Sequence, residues 1–508
     1  MIRRALVYSH PRTRSRFRDG DQALQRHASK HSECPHMESM SGTDIQRIFA
    51  AQRSRALKLR ASTAQDRIAT LERLRAAIEA REDEVLAACF ADFKKPEPEA
   101  RLAELLPTYA EIKLAIGNLK SWMKPRKVRA TLAMLGTRAE IRHEPRGRCL
   151  IIAPWNYPFQ LSFGPLVSAI AAGNTAIIKP SELTPHVSAL VAKLVGETFT
   201  EDEVAVIEGG VETSTELLSL PFDHIFFTGS PAVGRIVMAA AAKSLASVTL
   251  ELGGKSPVIV DESADIKAAA RHLAWGKLTN SGQTCIAPDH LYVHEVVMDR
   301  FIKALGKSVR HLYGKNEQAI KASKDYCRLV NERHFERVKG LYDDAVSRGA
   351  RAVFGGDYDA DEQYFAPTAL VDVPEGAQIM EEEIFGPLLP ILPFNDLDTV
   401  IERINAMPKP LALYIFGKDQ QRIEQVTRQT SAGGMCVNHN LLQFAHENLP
   451  FGGVNHSGIG KAHGRFGFEA FSNEKPVLTH RFNAMHMLYP PYTARVRKLI
   501  EFAVRKLG

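Results

Sequence analysis

CLIIAPWNYPFQLSFGPLVSAIAAGNTAIIKPSE, residues 149–182, holds two short apolar runs, CLIIAP and NTAIIKP, on either side of the longer stretch FGPLVSAIAAG. The short runs have the length and isoleucine content of buried strands, and the stretch between them is long enough for a helix. Strands joined in this way lie parallel. The pattern then repeats. TPHVSALVAKLVGETF reads as a helix capped by Thr184 with Pro185 at its first position, VAVIEGG as a strand and TSTELLSL as a short helix. HIFFTGS is a fourth strand, PAVGRIVMAAAAK a helix and SVTLELGG a fifth strand. This alternation predicts a doubly wound, Rossmann-like α/β domain, whose ligands sit at the carboxyl ends of its strands.

The unusual residues cluster at those ends: PWNYPF (154–159), KPSE (179–182), TGSPAVG (228–234) and ELGGK (251–255). Ser230 is placed to cap the following helix, while Gly229 and Gly234 let backbone approach a ligand. A helix N-terminus there would face an anion such as pyrophosphate. Neither GxGxxG nor GxxxxGK[ST] occurs, which excludes an ATPase loop.

Beyond residue 255 the alternation continues less cleanly. SPVIVD (256–261) and HLYVHE are strands around the helix ADIKAAARHLAWGKL, a long polar helical region is expected to cross Cys327, and YFAPTALVDV (364–373) leads to EEEIFGPLLPILPF (381–394). A helix over 396–406, the strand LALYIFG, GGMCVNHN and the glycine-rich LPFGGVNHSGIGKAHGRFGF complete a second α/β domain. Upstream, Ser62 or Thr63 caps an amphipathic helix, and a second runs from Pro98 to Trp122. Residues 137–148 read as an exposed extended arm, suited either to a partner's sheet or to a surface hairpin. The tail ARVRKLIEFAVRKL is an amphipathic helix expected to pack on the body.

With 508 residues, 45% of them hydrophobic, the chain fits two or three domains. Its six cysteines are scattered without a CxxC pair, which points to unpaired thiols, a reducing compartment and no metal site. No run of eighteen apolar residues exists, so no transmembrane segment is expected. Residues 1–36 carry eight Lys or Arg against three Asp or Glu and so hold +5 of the net +7. Residues 1–40 are expected to be a disordered basic extension, explained by a start placed too far upstream of Met37 or Met40 better than by a transit peptide. A nucleic-acid-binding role could rest only on this appendage.

NSGQTC (280–285) places Cys285 after a small-residue turn whose backbone amides can face what the sulfur attacks. A lone cysteine is ordinarily an inert packing thiol, so its neighbours must decide. PWNYPF, KPSE, FTGS, ELGGK, NSGQTC, EEIFGP and LPFGG together resemble the aldehyde dehydrogenase superfamily, in its order and spacing, over residues 45 to 490. NSGQTCIAPD and the YPP near the end are most similar to its class 3 branch, which includes bacterial coniferyl aldehyde dehydrogenases. The hydrophobic C-terminal tail of that branch's membrane-anchored member does not appear here.

The resemblance implies that Cys285 is the nucleophile, Glu251 the general base and Asn156 an oxyanion donor. It puts Lys179 and Glu182 at the adenosine ribose of NAD or NADP, Gly229 and Ser230 near the pyrophosphate, and Glu383 with Phe385 at the nicotinamide ribose and ring. Glu182, able to accept ribose hydroxyls, leans towards NAD. The implied activity is NAD(P)+-dependent oxidation of an aromatic or medium-chain aliphatic aldehyde to its acid. Relatives that pass the acyl group to coenzyme A typically lack the glutamate of ELGGK, so Glu251 favours hydrolysis, with coenzyme A acylation the alternative. The implied organisation is an NAD(P)-binding domain (41–136 and 149–250), a catalytic domain (251–440), and an arm with a C-terminal region (137–148 and 441–508) that joins a cytoplasmic homodimer. Asn455 stands at a usual glycine position, which asparagine tolerates by adopting left-handed backbone. His439 and His456 are expected as solvent-facing loop residues.

Overall fold

The computed structural model describes residues 42–131, 134–482 and 484–507, which fall within the compact unit Ser39–Gly508. The basic extension expected at 1–40, and with it the nucleic-acid reading, lies outside the described residues.

Two sheets organise the unit. In the first, with six strands, the order is Gly458–Ile459, Ser247–Leu252, His224–Gly229, Arg148–Ile152, Thr175–Lys179, Val204–Val206. The five strands read from the alternation are parallel, as expected. Their inner residues are almost all buried because helices cover both faces, which is why the runs are continuously apolar. Gly458–Ile459 is the exception: this piece of the glycine-rich segment read into the second domain pairs antiparallel with Glu251 and Leu250. The segment thus delivers the residues around 451–463 to Glu251.

The second sheet has seven strands in the order Arg351–Phe354, Thr368–Val371, Leu388–Phe394, His290–His294, Pro257–Val260, Ala412–Phe416, Gly434–Val437. Its cores form around Leu291, Val293, Ile391 and Tyr414 on one face and Ile259, Tyr292 and Leu413 on the other.

Several local expectations are corrected. A helix over Gly42–Leu59, unread in the sequence, buries Ile45, Ile48 and Phe49 against the first sheet. Thr63 caps Ala64–Glu79 with a reciprocal Asp66 contact, but Thr184 does not cap Pro185–Thr198. The Asp92 carboxylate does so instead, accepting from the amides of His186 and Val187 at 3.1 and 3.0 Å. The second upstream helix begins as Glu97–Ala100 and passes through a π-turn at Arg101–Leu105 before Leu106–Trp122. Cys327 lies in no helix: Met298–Tyr313 and Glu317–Lys321 end before it and Glu332–Ser347 begins after it.

The arm is the strand Thr137–Pro145, central in a three-stranded sheet between Arg126–Val128 and Ser472–His480 of the same chain. The tail forms the helix Ala494–Leu507, with Val496, Leu499 and Ile500 half-buried and Phe502 and Val504 exposed. Asn455 has φ +55°, the left-handed backbone expected of it, and its side-chain oxygen accepts from Lys409 at 2.8 Å. His439 is half-buried against His272, ring centroids 4.0 Å apart, and His456 is half-buried beside Arg235, so neither simply faces solvent.

Candidate active site

NSGQTC leaves the end of the helix Ile266–Leu278 in strained backbone. Asn280, Ser281 and Gly282 have φ of 53°, 53° and 77°. Left-handed backbone costs a non-glycine residue about 1–2 kcal/mol, and it persists only where the surroundings over-determine it. They do here. The amide of Asn280 donates to Glu99 at 2.8 Å, and its side chain donates to Asn156 O and Gln283 O at 2.9 and 3.1 Å. Ser281 donates to Tyr326 OH at 3.1 Å, while the Gln283 side chain donates to Asn280 O and Arg328 O and accepts from Val330 N, each at 3.0 Å. Gly282 is required sterically, since a Cβ there would stand 2.3 Å from Gly386 O.

This turn presents Cys285 half-buried, with the amides of Cys285 and Ile286 facing its sulfur and favouring the thiolate. Burial, with Glu383 and Glu251 adding to it, pushes the thiol up overall. Burial thus favours the protonated thiol, and the two amides favour the thiolate.

Glu251 is the penultimate residue of Ser247–Leu252 and is buried, with both carboxylate oxygens unpartnered. Burial raises it well above the ordinary carboxylate range, and the charge of Lys461 opposes that rise. A carboxyl without a structural partner, raised towards neutrality, is suited to exchanging protons. Cys285 and Glu251 line one cavity of about 610 Å³. Its walls are mostly apolar, including Leu102, Leu106, Leu161, Trp275, Phe444 and Phe451.

Asn156, 4% exposed, donates from Nδ2 to Gln283 O at 3.0 Å, two residues before Cys285. The neighbouring Tyr157 hydroxyl lies 2.6 Å from Thr284 Oγ1. PWNYPF is held from behind by a pair that the sequence reading missed. The fully buried Lys95 donates to Glu104 at 2.6 Å and to Asn156 O at 3.1 Å, and Glu104 accepts from the amide of Gln160 at 3.0 Å. In the sequence, DFKKPEPE looks like a solvated charge run. Only the apolar neighbours on either side hinted otherwise.

The remaining expected residues fall into two groups. At the ends of the first sheet, Lys179 donates to Glu182 at 2.6 Å, and Ser230 Oγ accepts from Val233 N at 3.4 Å at the exposed start of Pro231–Ser244. Gly229 and Gly234 have packing reasons of their own, because a Cβ on either would stand 2.5 Å from the Phe227 ring or 2.7 Å from Leu252. Closer to Cys285, the Glu383 carboxylate lies on Gly253, where a Cβ would stand 2.1 Å from it, and accepts from the amide of Gly254. Burial and the charge of Asp289 push it up to about 8. Its backbone is fixed by Arg337, which donates to the carbonyls of Glu383 and Ile384 at 3.1 and 2.6 Å. Phe385, at φ +46°, sets its ring edge-on to Trp155 at 5.4 Å. Lys255, the last residue of ELGGK, donates to Asp289 at 2.5 Å and so ties this loop to the second sheet.

These features fit a dinucleotide. An exposed helix start and a Lys–Glu pair at strand ends of the first sheet, with the Glu383 carboxylate at Gly253 and Gly254, are the donors and acceptors that a pyrophosphate and two riboses require. No group of three or more His, Cys, Asp or Glu suited to a metal occurs among the described residues.

A half-buried cysteine and a buried, unpartnered carboxyl line one cavity, the first following a helix of the second α/β sheet and the second ending a strand of the Rossmann-like sheet, an arrangement suited to a covalent dehydrogenase. The chain matches the model of the aldehyde dehydrogenase family over residues 19–477 and belongs to that family. It is 47% identical over 435 residues to 4,4'-diaponeurosporen-aldehyde dehydrogenase of Staphylococcus aureus, covering 85% of this chain and 93% of that one. Identity is 42% over 450 residues to aldehyde dehydrogenase family 3 member A2 of Mus musculus, covering 88% and 90%. Among solved structures, the substrate-bound state of Staphylococcus aureus AldH superposes with a TM-score of 0.86 at 44% identity, over 90% of this chain and 99% of that one. GapN of Methanocaldococcus jannaschii with NADP gives 0.79 at 26% identity over 87% and 95%. PnpE with nicotinamide adenine dinucleotide gives 0.80 at 25% over 88% and 91%. Among the described residues no helix is long and apolar enough to cross a membrane.

Proposed function

We propose that this aldehyde dehydrogenase oxidises an extended apolar aldehyde, medium-chain aliphatic or aromatic in the manner of coniferaldehyde, to the free carboxylic acid with NAD or NADP. The observation that carries the proposal is the shared cavity: a cysteine and an unpartnered carboxyl open onto about 610 Å³ of mostly apolar space. Burying a chain there is favourable by about 0.8 kcal/mol per methylene.

In this reading Glu251 or water takes the Cys285 proton and passes it to solvent, and the thiolate adds to the aldehyde carbon. The resulting oxyanion is met by the Cys285 amide and by the Asn156 side chain, which has a second N–H beyond the one donated to Gln283. Oxidised NAD or NADP, when bound, supplies the hydride acceptor that turns the thiohemiacetal into a thioester. Glu251 then removes a proton from water, hydroxide attacks the thioester, and the acid leaves as Cys285 recovers its proton. Lys179 and Glu182 would hold the adenosine ribose, Gly229, Ser230 and Gly234 the pyrophosphate turn, and Glu383 with Phe385 the nicotinamide side. The neighbours solved with NADP and NAD support this choice of cofactor.

An initial-rate panel of benzaldehyde, coniferaldehyde, hexanal and decanal, with each cofactor and with coenzyme A present or absent, tests the reading. Free acid as product and a preference for the longer or aromatic aldehydes are expected. Acyl-coenzyme A formed faster than acid would overturn the hydrolytic step. We further place the enzyme in the cytoplasm as a homodimer. The five described cysteines are all unpaired, which suits a reducing compartment. Among the described residues the strand Ser472–His480 lies at one side of the three-stranded sheet, and pairing of that sheet with a second copy is the contact this reading invokes. Sedimentation of the full chain at twice the protomer mass is the expected result.

A further inference from the structure

Lys461 follows the strand Gly458–Ile459 that pairs with Glu251. Its ammonium donates to Gly452 O at 2.6 Å and to Gly453 O at 3.3 Å. Gly452 stands between this side chain and the carboxyl of Glu251: a Cβ there would lie 3.0 Å from both Glu251 Oε1 and Lys461 Cδ. Lys461 therefore reaches Glu251 through one layer of backbone. Its ammonium is held on the carbonyls of Gly452 and Gly453, behind the backbone that faces Glu251.

We infer that Lys461 is the positioning residue of the base, pinning the Gly452–Gly453 backbone against Glu251 and supplying the counter-charge that favours the ionised form of this unpartnered carboxyl. The inference rests on the reading of Glu251 as the base. Other titratable groups surround the same space. Cys285 faces it from the second sheet. His463 lies on the same loop as Lys461 and is kept neutral by burial. Glu99, Glu111, Asp325 and Glu447 stand around the cavity wall. On the neighbouring strand His224 is buried and held down at about 3, hence uncharged. The cation that acts on Glu251 is Lys461, and the two bias each other reciprocally.

The test is the pH dependence of steady-state acid formation from decanal by the full chain and by K461M, K461Q, K461R and E251Q. Without the cation a higher pH is needed to ionise Glu251. The acid limb of K461M and K461Q should therefore move up by about one pH unit, a tenfold change in ionised fraction on that limb. KM should stay unchanged and K461R should restore the wild-type limb. Superimposable limbs for K461M, K461Q and wild type, with E251Q unable to release acid, would overturn the role of Lys461 alone. E251Q retaining the wild-type rate and limb would overturn the reading of Glu251 on which it rests.

Discussion

The Asn156 side chain donates to the carbonyl of Gln283 at 3.0 Å, and Asn280 returns the link by donating to the carbonyl of Asn156 at 2.9 Å. The proposed oxyanion donor and the turn that carries Cys285 are thereby hydrogen-bonded into one unit, although 129 positions separate Asn156 from Cys285. Such preorganisation places the donor before any charge develops. Asn156→Ala removes it, and kcat should fall by about 100- to 1,000-fold with a far smaller change in KM, read from steady-state NADH production.

Glu251→Gln should separate the two halves of the reaction. Cys285 still acylates, so a burst of NADH near one per site is expected, followed by slow turnover. The sign of the pH dependence follows from its raised pKa. The base works only when ionised, so wild-type turnover should fall as pH drops through a value above the ordinary carboxylate range. A stopped-flow burst with pH-varied steady state measures both.

The Lys95–Glu104 pair is fully buried, so removing one member strands the other's charge. Lys95→Met should destabilise the protein by about 3–5 kcal/mol, seen as a lowered thermal midpoint. Lys95→Met with Glu104→Gln should recover much of that loss because no unpaired charge remains.

The cavity should set chain-length preference. Leu161 lines it, and Leu161→Trp fills part of the space. kcat/KM for decanal should fall relative to hexanal by about tenfold, in the range that misfitted methylenes produce.

Much of this site was legible in the sequence because its parts sit at strand ends. CLIIAP and NTAIIKP announced their strands by continuous apolar character, and the alternation of strand and helix that follows them indicated where PWNYPF, FTGS and ELGGK would emerge. What escaped was long-range. Nothing local in KPEPEARLAE shows that Lys95 and Glu104 meet under Asn156, nor that Asp92, rather than Thr184, caps a helix some ninety residues on. The antiparallel return of Gly458–Ile459 onto Glu251 was hidden for the same reason, since a two-residue strand among glycines has no periodicity to read. Lys461, whose inferred role depends on that return, was invisible with it.

The central claim is that Cys285 carries the chemistry. Single-turnover NADH formation from decanal and NAD+ by Cys285→Ala, with folding checked by its thermal midpoint, addresses it most directly. The account predicts no NADH above the aldehyde-free blank, and NADH formed at the wild-type rate would contradict it.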